Sequence, residues 1–291
     1  MKKLLKGLAI VAAVLLAVAA VVFFLGRHRI YSTPDWYRHE RLDPARRAAA
    51  ANSVDQKLIA ARSGIAQAYA DQTRSARGGQ SATTVPSSQF ALELSEEEIN
   101  AWIPKWEQEL NWKKKLGNYL DEPSIFFREH ELILAAPVKE WNSIVSLHFV
   151  PAIQNGKLQV TLSDVMAGTL PLPRMAWDKY QQKLETSLSA KLPELQEEAE
   201  IDPHGGANSA AVQAALAELL LNTLHDRPSE PVLFVPDNLS GRAKSLPVKI
   251  TGIAVADKSM TLTVEPMNAE ERATLLKHLR APFTTEIAER Q

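Results

Sequence analysis

The chain carries seven histidines, His28, His39, His130, His148, His204, His225 and His278, and no cysteine. Without thiolate sulfur, neither a disulfide framework nor a cysteine-ligated metal site is open to it. No two histidines stand at the i, i+4 spacing that sets two imidazoles on one helix face, so no metal or cofactor is expected. The sequence lacks H-E-x-x-H, G-x-S-x-G, G-x-G-x-x-G, S-x-x-K and a Walker loop. His130, between Glu129 and Glu131, reads as a turn, and His148 is predicted on the polar face of a strand. Asp164, close to Gly168, has the right group for general acid–base work, but that chemistry needs a second placed group. The carboxylates between Glu194 and Glu200 read as a solvated face. No catalytic residue is assigned, and a hydrolase acting on envelope substrates stays open only because spacing alone does not place acid–base pairs.

The elements that would position such groups begin with a topological signal. Lys2, Lys3 and Lys6 precede an unbroken apolar run from Leu8 to Leu25, which as a helix covers about 27 Å, enough to span a bilayer core once. Ala17-Val18-Ala19 satisfies a signal-peptidase pattern, but cleavage there would leave Ala20 to Leu25 as an apolar end, so the run is read as a retained anchor. The basic tip favours a cytoplasmic N-terminus, which puts the main domain in the periplasm or otherwise outside the plasma membrane.

Composition fits an ordinary globular remainder: 291 residues, 45% hydrophobic, with 33 basic against 34 acidic residues and a net charge of −1. That balance excludes the basic footprint of a nucleic-acid binder. Five of the basic residues, Lys2, Lys3, Lys6, Arg27 and Arg29, flank the apolar run, so the outer part is net acidic and would meet lipid through apolar burial rather than charge.

Tyr31, Trp36 and Tyr37 follow the anchor and suit either an interfacial belt or packing on the domain. Asp43 is a plausible N-cap with Pro44 at the first helical position, opening a helix to about Arg74 with Val54, Leu58, Ala61, Ile65 and Ala68 in a narrow stripe. The stripe fits a stalk, a partner surface or a helix laid on its own domain. Ser75 to Gln89, with Gly78-Gly79, reads as a linker. The expected divisions are a cytoplasmic tip and anchor over 1–26, a juxtamembrane helix and linker over 27–89, and an outer domain over 90–291.

That domain opens with a strand at Phe90 to Leu94 and a capping box, Ser95 to Glu98, before a helix with Ile99, Trp102, Ile103, Trp106 and Leu110 on its apolar face and a kink expected at Pro104. Between Ser124 and Val165 the period changes to 2, giving a four-strand meander turned at Glu129-His130, Glu140 to Asn142 and Asn155-Gly156. Val145, Leu147 and Phe149 share one face of the third strand, and Leu158, Val160 and Leu162 one face of the fourth. Two helices follow, one from Arg174 to Leu192 striped by Trp177, Tyr180, Leu184, Leu188 and Leu192, the other after Asn208 with Val212, Leu216, Leu219, Leu220 and Leu224, joined by a loop from Pro193 to Gly206. Strands at Val232 to Val235, Leu246 to Ala256 and Ser259 to Glu265 come next, with a bulge at Gly252, and Asn268 with Glu271 caps a last helix. The fold class is α+β: a single N-terminal transmembrane helix, a helical stalk, and a curved antiparallel sheet packed with long amphipathic helices.

Leu94-Ser95-Glu96-Glu97-Glu98-Ile99-Asn100-Ala101-Trp102-Ile103, the meander after Pro123, and Gly168-Thr169-Leu170-Pro171-Leu172-Pro173 together resemble the YpmS-like family of membrane-anchored bacterial proteins. The resemblance covers about Phe90 to Leu192; the long helix before it and the extended C-terminal half depart from the family. That family is more distantly similar to tubular lipid-binding domains, in which a curved sheet wraps a long helix and leaves an apolar groove. The resemblance implies lipid binding, with Val145, Leu147, Phe149, Leu158, Val160, Leu162, Trp177, Tyr180, Leu184 and Leu188 lining the groove. The alternative is an envelope assembly or scaffold protein with no small ligand, working through the Asp43 to Arg74 helix or the Trp102 to Trp112 region. The expected partners are thus the bilayer through Leu8 to Leu25 and either lipid or envelope proteins.

Overall fold

In the computed structural model the described residues are 29–37, 42–77, 88–110, 122–139, 142–202, 206–237 and 244–281. The expected anchor over Leu8 to Leu25 and most of the expected linker lie outside them. Among the described residues no helix is long and apolar enough to cross a membrane.

A helix of 34 residues, α1 (Pro44–Arg77), organises the rest. Asp43 starts it as the sequence predicts, its carboxylate accepting from the backbone N–H groups of Ala45 and Arg46 at 3.0 Å each. Val54 and Ile65 from its stripe are only 1% exposed, so α1 is no stalk: about 51 Å long, it lies along the domain with that stripe buried and the opposite side, including Ile59 at 54% exposure, open. Its buried stripe packs with residues that follow Phe90.

Among the described residues nine strands form two antiparallel sheets rather than one curved sheet. The larger is the meander, in the order β2 (Ser124–Arg128), β3 (Glu131–Val138), β4 (Ser143–Gln154), β5 (Lys157–Ala167) and β6 (Leu170–Pro171). Asn155 and Gly156 take the positive φ values, 52° and 72°, that a tight hairpin between β4 and β5 demands. The smaller sheet runs β1 (Phe90–Ser95), β9 (Ser259–Pro266), β8 (Lys244–Ala256) and β7 (Val232–Asp237), with a register shift between Ile250 and Gly252 where the bulge was expected. The sheets meet at their hairpins: His130 N–H donates to the Val255 carbonyl at 2.9 Å and Lys258 N–H to the Phe127 carbonyl at 3.1 Å.

Two apolar clusters lie along α1. Towards its start Val54 and Leu58 pack with Leu94, Ile99, Phe127, Leu132 and Val255; further on, Ile65 and Tyr69 pack with Leu158, Val248, Ile250 and Val264. Gly64 sits between them because the Phe90 ring occupies the space a methyl group would need. The Tyr69 hydroxyl donates to the Pro247 carbonyl and accepts from Met267 N–H at 3.2 Å, while the Arg272 guanidinium stacks 4.8 Å from the Tyr69 ring.

The Ser95–Glu98 capping box forms as predicted and opens α2 (Glu96–Leu110), which continues through Pro104. α3 (Arg174–Glu198) and α4 (Ser209–Leu224) make an antiparallel hairpin, α4 lying on β5 and β8, and α5 (Ala269–Leu279) closes the chain with the Asn268–Glu271 capping box. Two expectations for the hairpin need correction. Helix α3 does not stop at Leu192 but includes Pro193, because Leu192, Leu195 and Gln196 beyond the first turns still pack, and Gln196 donates to the Ala281 carbonyl at 2.9 Å. The stripe that α4 buries is Ala210, Ala211, Ala214, Ala217 and Leu221, not Leu216 and Leu220. Small side chains let two helices approach closely, and that turns the larger leucines outward.

Candidate functional site

The meander sheet carries apolar residues on one face along its whole length, and the strand register shows which. Leu132 lies opposite Phe149, which lies opposite Leu162; Leu134 lies opposite Leu147, and Leu147 opposite Val165. Val145 pairs with Ala167, Pro151 with Val160 and Ile153 with Leu158. Register therefore gathers six of the expected groove residues, Val145, Leu147, Phe149, Leu158, Val160 and Leu162, on one face. At the hairpin end this face is closed: Leu158 is buried against Ile65 and Tyr69 of α1, with Val160, Ile153 and Leu219 around it. Towards the other end it opens. Val145, Leu147, Phe149 and Leu162 are half-buried and Leu134 is 37% exposed, forming an apolar strip beside the core.

The helical residues expected with them are elsewhere. α3 packs on α4, one layer out from the sheet, with Leu188 against Leu192 and Leu221. Trp177 is half-buried and Leu184 is 43% exposed; the side chain of Tyr180 lies outside the described residues. The Gln181 amide donates to the Leu224 carbonyl at 3.0 Å, which aligns the Leu184 turn with the last turns of α4, where Leu216 and Leu220 also face out.

Part of the opposite face of the meander, around Ser146 and His148, is buried too, against expectation, while Val150 and Asp164 on that face are exposed. Ser146 is fully buried and His148 nearly so, since Phe126, Ile133 and Ala135 beside them are covered by Trp36 and Tyr37. Thus His148 is not on a wet face: its ring stands edge-on to Trp36 at 5.8 Å. A buried imidazole needs partners on both nitrogens, and His148 has them: Nδ1 is 3.1 Å from Glu131 Oε1 and Nε2 3.0 Å from Ser146 Oγ. These atoms follow the order of a serine–histidine–carboxylate relay. Ser146, however, sits mid-strand between Ala135 and Met166 in the ladder and is sealed from solvent, so a substrate has no access to its hydroxyl. Asp164, the other acid–base candidate, is exposed opposite His148 in the register.

The cover over that face is the chain between the expected anchor and α1. Thr169 N–H donates to the Arg29 carbonyl at 2.9 Å, the Ser143 hydroxyl donates to the Ile30 carbonyl, and the Ser32 and Thr169 hydroxyls are 2.7 Å apart. Gly168 has φ of 59°, and a methyl group there would overlap the carbonyl oxygens of Arg29 and Ile30. Pro34 is buried, Trp36 stacks edge-on to Phe126 at 5.1 Å, and Arg128 Nη2 donates to the Trp36 carbonyl at 3.4 Å. Trp36 and Tyr37 thus pack on the domain, while Tyr31 is 51% exposed.

The Ser95 to Asn100 motif does equally local work. Asn100 takes both backbone groups of Ile125, donating to its carbonyl at 2.6 Å and accepting its N–H at 2.8 Å, and Glu96 accepts the Phe127 N–H at 3.1 Å. β2 is an edge strand, and these two side chains satisfy groups that would otherwise face no partner. Sequence patterning had no means of seeing this, since a helix side chain substitutes for a strand.

An open crevice of about 460 Å³ between α1 and the start of α2 is lined by Arg46, Ala49, Ala50, Lys57, Ser95, Glu97 and Glu98. Its charges are already paired, Lys57 with Glu98 at 2.7 Å and Arg46 with Glu97 at 3.3 Å. Although burial opposes the charge on Glu98, hydrogen bonds from Lys57, Ser53 and the Ser95 N–H hold its carboxyl down at about 2. His278 is held above its ordinary value by its hydrogen bond to Glu218 at 2.6 Å, which links α5 to α4. Among the described residues no three metal-ligating side chains cluster. No family model, no curated protein and no solved structure matches this chain.

Proposed function

We propose that the protein is a single-pass, membrane-anchored extracytoplasmic domain, in the plasma membrane with its N-terminus cytoplasmic, that holds the acyl chain of a lipid on the open strip of the meander sheet without catalysing a reaction on it. One observation carries this reading: register aligns Leu134, Leu147, Phe149, Val145 and Leu162 on a single face that is continuous with the core yet half-open. Apolar surface of this kind gains free energy by covering, at about 25 cal/mol per Å² buried, and an acyl chain fits a narrow strip better than a polar ligand does. The net acidity of the outer part fits capture through the tail rather than through an anionic headgroup.

The test is photocrosslinking of the full-length protein with a phosphatidylethanolamine bearing a diazirine on its acyl chain. Labelled peptides from β3, β4 and β5 are expected, with labelling of those peptides lost in Leu147→Asp while far-UV circular dichroism is retained. Labelling confined to the Leu8 to Leu25 peptide would overturn the reading.

A second reading, an envelope assembly protein without a small ligand, draws on the outward leucines of the α3–α4 hairpin, Leu184, Leu216 and Leu220. It predicts that Leu216→Asp disturbs function while Leu147→Asp does not.

A further inference from the structure

Residues 29–37 stand between the apolar run and the domain, where a flexible tether would be the ordinary arrangement. Instead the segment is built into the meander sheet at both ends. Its start is held by Thr169 N–H, the Ser143 hydroxyl and the missing side chain of Gly168; its end is held by Phe126, His148 and Arg128. Removing the segment would uncover Phe126, Ile133 and Ala135, each about 1% exposed, and the polar pair Ser146 and His148. Burial on that scale makes detachment costly.

The distance to the membrane follows from chain length. The apolar run ends at Leu25 and the first docked carbonyl belongs to Arg29, so the intervening chain reaches at most about 14 Å. Gly168 and Thr169, where that carbonyl binds, immediately precede β6 and the start of α3. The hairpin turn at Gln154 is at the other end of β5, an 11-residue strand, roughly 33 Å away.

We infer that residues 29–37 are a docked strap that fixes the orientation of the domain, holding the β6 corner and the first turns of α3 against the headgroups of the bilayer that carries the anchor and pointing the β4–β5 hairpin away from it. The occupant of that corner is thus the protein's own membrane. This rests on the anchoring reading of Leu8 to Leu25 and is independent of whether a lipid occupies the sheet.

A chain without cysteine allows single-site labelling of the full-length protein. Asp178→Cys on α3 and Gln154→Cys at the hairpin, both exposed positions, are labelled with bimane and reconstituted into phosphatidylcholine–phosphatidylglycerol vesicles containing a headgroup-spin-labelled lipid. Strong quenching is expected at position 178 and near-background quenching at position 154. A long Gly-Ser insertion between Gly26 and Arg27 leaves every strap contact intact but removes the reach limit, so it should abolish quenching at position 178 without changing the fold. Gly168→Val should do the same by displacing the strap, with folding checked by circular dichroism. Equal quenching at the two positions, or quenching at 178 that survives the insertion, would overturn the inference. Recovery of the protein in the carbonate-soluble fraction would instead sink the anchoring reading on which it rests.

Discussion

At the scale of single residues, the polar groups of this protein are arranged to satisfy buried neighbours. Glu98 illustrates it: Lys57, Ser53 and Ser95 all donate to one carboxylate, at 2.8, 2.6 and 2.9 Å. Its carboxyl titrates at about 2 against an ordinary 4.5, so the folded state favours the charged form. The stabilisation is complete above pH 4.5 and is lost as pH falls towards 2. Glu98→Gln is expected to cost about 1 kcal/mol at pH 7, and the gap to the parent should close on acidification, as read by urea midpoints between pH 6 and pH 2.5. A pH-independent difference would show that packing, not charge, makes the contribution. His148 shows the same logic on the sheet: its polar side chain would alternate outward if the sheet had one wet face, and only the strap explains why it is buried.

At the scale of elements, the distinctive device is a helix that completes a sheet edge. α2 supplies Asn100 and Glu96 to the backbone of β2, fixing the meander to the smaller sheet through side chains. Replacing Asn100 by Ala leaves the N–H and carbonyl of Ile125 without it, at an expected cost of about 2 kcal/mol in unfolding free energy. Asn100→Asp keeps the acceptor and loses the donor, so it should fall between the two in a chemical-denaturation series. An unchanged Asn100→Ala stability would mean that water replaces the side chain there without loss. The α3–α4 hairpin shows the complementary case, since Ala214 and Ala217 pack against Leu192 of α3 and leave Leu216 at 55% exposure.

For the whole molecule, α1 is the shared spine. It contributes Val54 and Leu58 to a cluster reaching the meander, and Ile65 and Tyr69 to one reaching the smaller sheet. Neither cluster is complete without it, so the sheets should unfold together. In urea, tryptophan fluorescence and far-UV circular dichroism are expected to give coincident transitions for the full chain in mild detergent; two separated steps would show that the sheets are independent units. The strap extends the same integration towards the membrane, because the segment preceding α1 covers Phe126, Ile133 and Ala135 on the far face of the meander.

Local signals in the sequence determined most of the elements. Asp43, Ser95, Asn208 and Asn268 mark helix starts because their side chains accept backbone N–H groups within one turn. Period-2 patterning with Asn155-Gly156 and Gly252 located the meander hairpin and the bulge, because alternation and positive φ are properties of a few adjacent residues. Of the candidate strip, Val145, Leu147, Phe149 and Leu162 were legible for the same reason: register follows alternation once the turns are set. Only the tertiary structure decided that α1 is laid on its own domain, that the sheet divides in two, that α3 stays a layer away from the strip, and that His148 and Ser146 are buried. Each of these depends on what covers a face, and coverage comes from residues distant in the chain: Trp36 over His148, Phe90 beside Gly64, the Arg29 and Ile30 carbonyls against Gly168. Apolar spacing tells which residues share a face; the partner that reaches the face is fixed by the packing of the whole chain.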